Sequence, residues 1–304
     1  MTIINANAPR LRDGRRRALQ SIAGGALVAA THLTISVAQA QTSATINIGT
    51  TPVFLDDQLG FLDAWRRYLE AATGRKISFV QRSNYREITE LLLAGRIDCA
   101  WLCGYPYVKY RERLRLVVTP SFRGVPTYES YLIVPASDTA TKDFAAMRGH
   151  AFAYSDPLSN SGYLAPRYTL WAAGFDPDQH FSRTFFTWSH KKVVQAVAVG
   201  LAQGGSVDGY VWETLAKTQP ELTRRTRVAW KSPSYGFPPV VASASGDGAT
   251  IDAVRAALLG MQADAEGKAL LARLNLDAFV ASDDHGFDSI AVMLAKLTGA
   301  GKIG

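Results

Sequence analysis

Two kinds of hydrophobic pattern alternate along the chain. Short apolar runs, several alternating with polar residues at period two, predict strands, and longer stretches with apolar residues every three or four positions predict amphipathic helices. The predicted strands are residues 45–50, 76–80, 97–102, 114–120, 128–135, 151–154 and 227–231, with 206–212 as a strand that runs into a helix. The predicted helices are residues 57–73, 85–94, 143–147, 163–173, 191–203, 250–263, 266–274 and 288–297. This alternation predicts an α/β protein with parallel sheets covered on both faces.

The chain is long enough for two domains. It has 304 residues, of which 47% are hydrophobic and 19% charged, and one domain takes about 100–200 residues. This composition rules out an intrinsically disordered protein, since disorder needs low hydrophobicity and high charge. No low-complexity linker separates two halves, so we expect the chain to pass between two lobes more than once.

The net charge of +7 and the pI near 9.4 are values common among nucleic-acid-binding proteins. Residues 1–40 contain five arginines and one aspartate, however, and the remaining 28 basic and 25 acidic residues leave only +3. Since this remainder contains no block of like charge, we expect no nucleic-acid partner.

The first forty residues have the organisation of an export signal. Arginines at 15–17 precede a weakly apolar run, residues 21–37, and Ala38–Ala40 forms an A-x-A cleavage pattern. The paired arginines resemble a twin-arginine signal, although Ala18 stands where phenylalanine is usual. A membrane anchor is the alternative, but the strongly apolar part is shorter than the roughly 20 residues of a membrane span. We expect residues 1–40 to be removed and the rest to have no stable membrane insertion.

One loop combines polar residues in a way that suits an anion. Residues 156–162 (DPLSNSG) follow a predicted strand and precede a predicted helix, so Ser159, Asn160 and Ser161 lie at a helix N-terminus. The unpaired N–H groups and the positive end of the helix dipole attract anions there. The alternative is ordinary helix capping, for which serine and asparagine are preferred, but capping needs only one of the three residues.

No pattern of an enzyme or a metal site occurs in the sequence. H-E-x-x-H, G-x-S-x-G, Walker loops and paired cysteine motifs are absent, and the histidines are scattered. We therefore expect no catalytic residues, no metal and no cofactor. Aromatic residues and serine donors in a cleft suit binding of a small ligand without turnover.

The loop also resembles the signature of a known family. Asp-Pro-x-Ser-x-Ser-Gly at 156–162 is similar to the motif of the periplasmic phosphate-, phosphite- and phosphonate-binding proteins of ABC transporters, the phosphonate-binding-protein family. Further similar motifs keep the order of the family, over roughly residues 44–285: NYRE at 84–87, GRIDCAW at 95–101, TWSH at 187–190 and WKSP at 230–233. The resemblance implies a type II periplasmic binding protein with two α/β lobes, a hinge and an interlobe ligand cleft. We expect lobe I to comprise residues 41–128 plus 239–304 and lobe II residues 129–238.

The resemblance also implies a set of ligand-binding residues. In the family, an oxyanion is held by the Ser-Thr-Ser loop and by a histidine of the next segment, which match Ser159, Asn160, Ser161 and His190. His190 can donate to an anion, and we expect it to titrate near neutrality; a structural role is its alternative. Tyr85 matches a tyrosine that closes over the ligand, and its alternative is a place in the wall of lobe I.

Several departures from the family change the expected ligand. Members that bind aminoalkyl phosphonates hold the amine with carboxylates, and Tyr210 and Pro238 stand at those positions. We still expect Tyr210 to be a ligand-binding residue. Leu102 stands where a tyrosine often binds. Asp208 either faces the cleft and accepts a proton from a protonated ligand, or is a turn residue. These changes favour a small oxyanion over an aminoalkyl phosphonate.

Cys103 lies at a strand end that faces the expected cleft. A thiolate there would bind a thiophilic species such as arsenite, as in the similar arsenite-sensing members of the family, whereas a buried cysteine is usually a small hydrophobe. A disulfide with Cys99 is disfavoured, because four residues of strand span about 13 Å, unless the chain turns at Leu102.

The sequence therefore predicts a periplasmic solute-binding protein that captures a small oxyanion, such as phosphate, phosphite or a phosphonate, and docks on an ABC permease. The alternative is a periplasmic sensor, for arsenite or another oxyanion, that presents its closed form to a membrane sensor kinase. Both partners would bind the closed lobes, so the sequence does not separate them.

Overall fold

The structure is a computed structural model that describes residues 45–51 and 59–303. The predicted export signal lies outside these residues. The strands are β1 (Ile46–Thr50), β2 (Ile77–Gln81), β3 (Cys99–Trp101), β4 (Leu114–Ser121), β5 (Thr127–Tyr128), β6 (Ser130–Pro135), β7 (Ala151–Tyr154), β8 (Arg183–Phe186), β9 (Gly204–Asp208), β10 (Thr226–Lys231), β11 (Tyr235–Gly236), β12 (Val240–Ser243) and β13 (Ala278–Val280). The α-helices are α1 (Leu59–Thr73), α2 (Tyr85–Leu93), α3 (Gly104–Lys109), α4 (Ala165–Ala172), α5 (His190–Ala198), α6 (Gly209–Thr218), α7 (Pro220–Thr223), α8 (Gly248–Gly260), α9 (Ala265–Leu274) and α10 (Asp288–Gly299).

These strands form two large sheets and one small one. The first sheet has the order β13-β4-β12-β3-β1-β2 and the second the order β10-β6-β9-β7-β8, while β11 and β5 pair with each other. The strands of the first sheet thus come from residues 46–121 and 240–280, and those of the second from residues 130–231. The chain passes from one sheet to the other after β4 and returns after β10, and the β5–β11 pair joins the two crossing segments.

The prediction of parallel sheets is only partly right, because both sheets are mixed. Strand β1 pairs in parallel with β2 and β3, and β7 with β8 and β9. In contrast, β12 runs antiparallel to β3 and β4, and β6 runs antiparallel to β9 and β10. Strands β6 and β12 are the first strands that the chain adds to a large sheet after each crossing, so they enter that sheet from the opposite end.

Most predicted elements are present with shifts of a few residues at their ends. The predicted helix 163–173 is preceded by a π-helical turn, Asn160–Leu164, and the predicted helix 191–203 ends at Ala198. Gly200 follows with a φ of 77°, a conformation that glycine adopts readily and that stops a helix. Helix α3 and strands β8, β12 and β13 were not predicted, since they have three to six residues each, too few to show a period.

Each sheet has an aromatic core. In the first, the Trp65 ring packs edge-on against Trp101 and stacked against Phe279, at centroid distances of 6.2 and 6.3 Å. In the second, Phe152 and Phe181 stack at 4.3 Å. No helix in the described part of the chain is both long enough and apolar enough to cross a membrane.

Candidate functional site

The predicted site residues come together where the strands of both sheets end. Cys103 follows β3, the polar loop of residues 156–162 follows shortly after β7, and Asp208 is the last residue of β9. The reversed strand β6 begins at the same edge, because Ser130 pairs with Asp208. Parallel α/β sheets bind their ligands at this carboxyl edge, so the topology places the candidate site between the two sheets.

The polar loop, residues 156–162, caps a helical turn and also contains polar groups that this cap does not use. Ser159 has an extended backbone, and its Oγ accepts the Gly162 N–H at 2.9 Å. This bond is the helix cap that was the alternative explanation of the motif. It uses Ser159 alone, and Asn160 and Ser161 are not needed for it. All three residues are fully buried.

Two serines of the second sheet hold the backbone of the loop by hydrogen bonds. The hydroxyls of Ser130 and Ser206 each donate to the Ser161 carbonyl at 2.7 Å. Gly162 is required by a close approach, because a Cβ atom there would lie 1.8 Å from the Ser155 Oγ. The backbone of the loop is therefore held in place independently of any ligand.

Within residues 156–162, two oxygen atoms are buried without a hydrogen-bond partner. They are the Asn160 Oδ1 and the Ser161 Oγ. The Ser161 hydroxyl lies close to the Tyr128 hydroxyl but completes no hydrogen bond of normal geometry with it. Since buried polar groups are nearly always paired, these two atoms indicate a place for a polar ligand.

His190, the first residue of α5, is positioned by Asp208. The His190 Nδ1 accepts the Asp208 backbone N–H at 3.0 Å, and Nε2 lies 3.4 Å from the Ser159 Oγ. Because Nδ1 is an acceptor, the proton of the neutral ring is on Nε2, which faces the polar loop. Burial lowers the pKa of His190 to about 3, so the expectation that it titrates near neutrality is wrong. His190 is a neutral donor here.

Asp208 caps the next helix from a fully buried position. Its Oδ1 accepts the backbone N–H groups of Tyr210 and Val211 at 2.9 and 3.3 Å. Burial raises the pKa of Asp208 to about 7, and these two backbone bonds oppose the shift. The residue thus has the turn role that the sequence left open, and it lies beside the histidine that faces the loop.

Cys103 is a buried free thiol that touches the polar loop. Its Sγ accepts the Asn160 backbone N–H at 3.2 Å, and the Tyr128 hydroxyl lies close to it. Burial raises the pKa of Cys103 to about 11, so the group is a neutral thiol at neutral pH. Cys99 is also free, in agreement with the expectation that the two cysteines form no disulfide.

Tyr128 is a site residue that the sequence did not reveal. Its hydroxyl accepts the Asn160 Nδ2–H at 3.0 Å, and its ring packs against Phe237 from the other crossing segment. It lies in strand β5, between the two large sheets, where the pattern predicted the start of a longer strand. Its place as the first residue of that predicted strand was the only local signal.

Tyr85 and Tyr210 occupy different parts of the site. Tyr85 opens α2, and its backbone N–H donates to the Asp156 Oδ2 at 3.0 Å. Its buried hydroxyl has a pKa well above the ordinary value, because of burial and then the nearby Cys103. The Tyr210 hydroxyl donates to the Leu274 carbonyl, and its ring packs against Phe237 at 4.9 Å.

The two sheets meet across this site through direct hydrogen bonds. The Tyr85–Asp156 and Cys103–Asn160 bonds each join a residue that follows a strand of the first sheet to the loop after β7. Every predicted ligand residue is at most 4% exposed. Within residues 45–51 and 59–303, no group of three or more His, Cys, Asp or Glu side chains could hold a metal ion.

A comparison with protein families matches residues 48–287 to the model for the periplasmic substrate-binding protein of ABC phosphonate transporters. The chain is 29% identical over 182 residues to the phosphate-import protein PhnD of Mycolicibacterium smegmatis, a match that covers 55% of this chain and 56% of that protein. It is 26% identical over 238 residues to the phosphonates-binding periplasmic protein of Escherichia coli, which covers 75% of this chain and 70% of the relative.

The fold is similar to that of solved binding proteins. A crystal structure of a binding protein component of an ABC phosphonate transporter from Pseudomonas aeruginosa aligns with a TM-score of 0.75 and 26% identity, over 82% of this chain and 85% of that one. The predicted type II fold is thereby confirmed. The matched family consists of substrate-binding proteins of transporters. The chain belongs to the family of periplasmic substrate-binding proteins of ABC phosphonate transporters.

Proposed function

We propose that the protein captures a small oxyanion of the phosphate, phosphite or phosphonate class in the cleft between the two sheets and delivers it to an ABC permease. The single observation that carries this proposal is that the polar loop contains buried polar groups without a hydrogen-bond partner in the protein. The unpartnered Ser161 hydroxyl and the Nε2–H of His190 are donors that face the same loop. Donors held in advance at a helix N-terminus bind an anion without reorganisation.

The expected lobes support a closing motion around this loop. We propose lobe I at residues 41–128 plus 239–304 and lobe II at residues 129–238, since this division separates the strands of the two large sheets. The β5–β11 pair then lies at the two crossings and acts as the hinge. The hydrogen bonds of Asp156 to Tyr85 and of Asn160 to Cys103 cross the cleft and belong to the closed form.

We propose that the ligand-binding residues are Ser159, Asn160, Ser161, His190 and Tyr85, with Asp208 beside them. The Tyr210 hydroxyl is already bonded to Leu274, so any contact of this residue with the ligand would come from its ring or backbone. Cys103 is proposed as a neighbour of the loop; a thiolate bond to arsenite requires deprotonation, which the raised pKa opposes. Presentation of the closed form to a sensor kinase remains the alternative and has no contact in its favour.

A panel of ligands tests the proposal directly. Thermal shift and calorimetry with phosphate, phosphite, methylphosphonate, sulfate and arsenite should show stabilisation by phosphorus oxyanions of about 2.7 kcal/mol at 100 times the dissociation constant. Failure of all the phosphorus oxyanions to bind would contradict the proposal. Binding of arsenite that is lost in Cys103→Ser would favour the sensor instead.

We further propose that residues 1–40 are an export signal of the twin-arginine type. The ordered basic, apolar and A-x-A segments support it. Replacing the paired arginines Arg15 and Arg16 by lysine should block export, and the exported protein should begin near Gln41 by N-terminal sequencing. An exported protein that begins near Met1 would contradict this.

A further inference from the structure

Asn160 stands at a position where its family carries threonine, and the structure determines which way its carboxamide points. Its Nδ2–H donates to the Tyr128 hydroxyl at 3.0 Å, while its Oδ1 is fully buried without a partner. A threonine hydroxyl can rotate and serve as a donor or an acceptor, whereas this oxygen can only accept.

The orientation of the Asn160 amide follows from its neighbours. The Tyr128 hydroxyl accepts the Asn160 Nδ2–H, and its own proton can then point to the nearby Cys103 sulfur. This pairing places the amide nitrogen on the Tyr128 side and the carbonyl oxygen on the other. The Asn160 backbone N–H donates to the same sulfur at 3.2 Å, which holds the residue from both ends.

We infer that the cleft selects oxyanions that still carry an acidic O–H group, because the Asn160 Oδ1 is a buried acceptor without a partner in the protein, and a donor on the ligand would pair with it. This inference rests on the proposed function and specifies the ligand class within it. The donors of the site, the Ser159 and Ser161 hydroxyls and the His190 Nε2–H, would hold the unprotonated oxygens. The O–H of the ligand would donate to Asn160.

The charges around the loop agree with a singly charged ligand. His190 is neutral, as its low pKa shows, and no ligand residue proposed above carries a positive charge. The titratable and charged groups that belong to the loop or interact electrostatically with its buried neighbours include Tyr85, Arg86, Cys103, Tyr128, Asp156, His190, Asp208 and Tyr210. Only Arg86 among them is a cation, and it acts on Asp156 at the edge of the loop.

Methylphosphonate and methanesulfonate test the inference as a matched pair. Below the second ionisation of the phosphonate both ligands are monoanions of nearly the same shape, but only methylphosphonate carries an O–H. Calorimetry should show a preference for methylphosphonate of at least about 100-fold, because methanesulfonate leaves the Asn160 oxygen unpaired. Phosphate and sulfate form a second pair with the same expected order. Equal affinity within either pair would overturn the inference while leaving the proposed function intact.

Two variants locate the acceptor. In Asn160→Thr the hydroxyl can donate, so the preference over methanesulfonate should fall at least tenfold, while melting curves report whether the variant is folded. In Asp208→Asn the preference should persist. The opposite pattern, with the preference lost in Asp208→Asn and kept in Asn160→Thr, would overturn the assignment to Asn160. The comparison of methylphosphonate with methanesulfonate uses the unsubstituted protein, so it tests the inference even if Asn160→Thr does not fold. If none of the four ligands binds, the proposed function itself fails, and the inference with it.

Discussion

The His190 Nδ1 accepts the backbone N–H of Asp208 at 3.0 Å. This bond joins the start of α5 to the end of β9, and it directs the protonated Nε2 of the ring toward Ser159. The two residues also have opposite pKa shifts, since burial disfavours the charged form of each. Their contributions to stability therefore change with pH in opposite directions.

His190 should make the protein less stable in acid. Its pKa is about 3 in the folded state against an ordinary 6.5, so below pH 6.5 the unfolded chain takes up a proton that the folded state does not. The contribution of His190 to the free energy of unfolding should therefore fall with decreasing pH by up to about 1.4 kcal/mol per pH unit. His190→Gln, which keeps an acceptor for the Asp208 N–H, should reduce this slope in denaturant titrations between pH 4 and 6.5, whereas His150→Gln at an exposed histidine should not. A slope unchanged in His190→Gln would contradict the prediction.

Asp208 should have the reverse effect over nearly the same pH range, so the two contributions oppose each other in the unsubstituted protein. Its pKa is raised from 3.8 to about 7, so between these values the folded state holds a proton that the unfolded state has lost. The contribution of Asp208 to the free energy of unfolding is largest below about pH 4 and decreases as the pH rises to 7. In Asp208→Asn the amide oxygen can replace the carboxyl oxygen that caps α6, and the side chain no longer titrates. The variant should therefore lack this decrease in stability. The same titration in the variant measures it; an unaltered pH dependence would show that Asp208 is ionised in the folded protein.

Ser159 and Ser161 should respond differently to the same substitution. Ser159→Ala removes a helix cap and should cost about 1 kcal/mol of stability as well as affinity. Ser161→Ala removes a hydroxyl with no partner in the protein, so it should weaken ligand binding about tenfold or more with little loss of stability. Melting curves and calorimetry separate the two effects, and Ser289→Ala, at an exposed serine of α10, is the control. Full affinity in Ser161→Ala would remove this hydroxyl from the site.

Cys103 should react slowly with thiol reagents. It is 4% exposed and its pKa is raised to about 11, and only the thiolate is reactive. Labelling by iodoacetamide at pH 7.5 should therefore be at least about 100-fold slower than in the chain unfolded in urea. Cys99→Ser leaves Cys103 as the single thiol and makes the measurement specific. Rapid labelling of the folded variant would show an open cleft or an ionised thiol.

Much of the fold and part of the site could be predicted from local patterns. The β7–loop–α4 unit was predicted from a short apolar run, a polar loop and an amphipathic stretch, all within about 20 residues. Ser159, Asn160 and Ser161 could be named because helix N-termini use a small set of residue types. The direction of β12 could not be predicted, because its four residues carry no information about which end of the sheet the chain enters from.

The sequence by itself determined the α/β architecture, the polar loop and its family, since these depend on residues close together in the chain. Only the tertiary structure decided what each polar group does. The Asn160 amide is oriented by Tyr128 and the Asn160 N–H reaches Cys103, 32 and 57 residues away. The neutral His190 and the raised pKa of Asp208 result from complete burial. Burial and long-range contacts are properties of the folded chain, and they convert a loop that could bind any anion into one that we propose selects for a proton on its ligand.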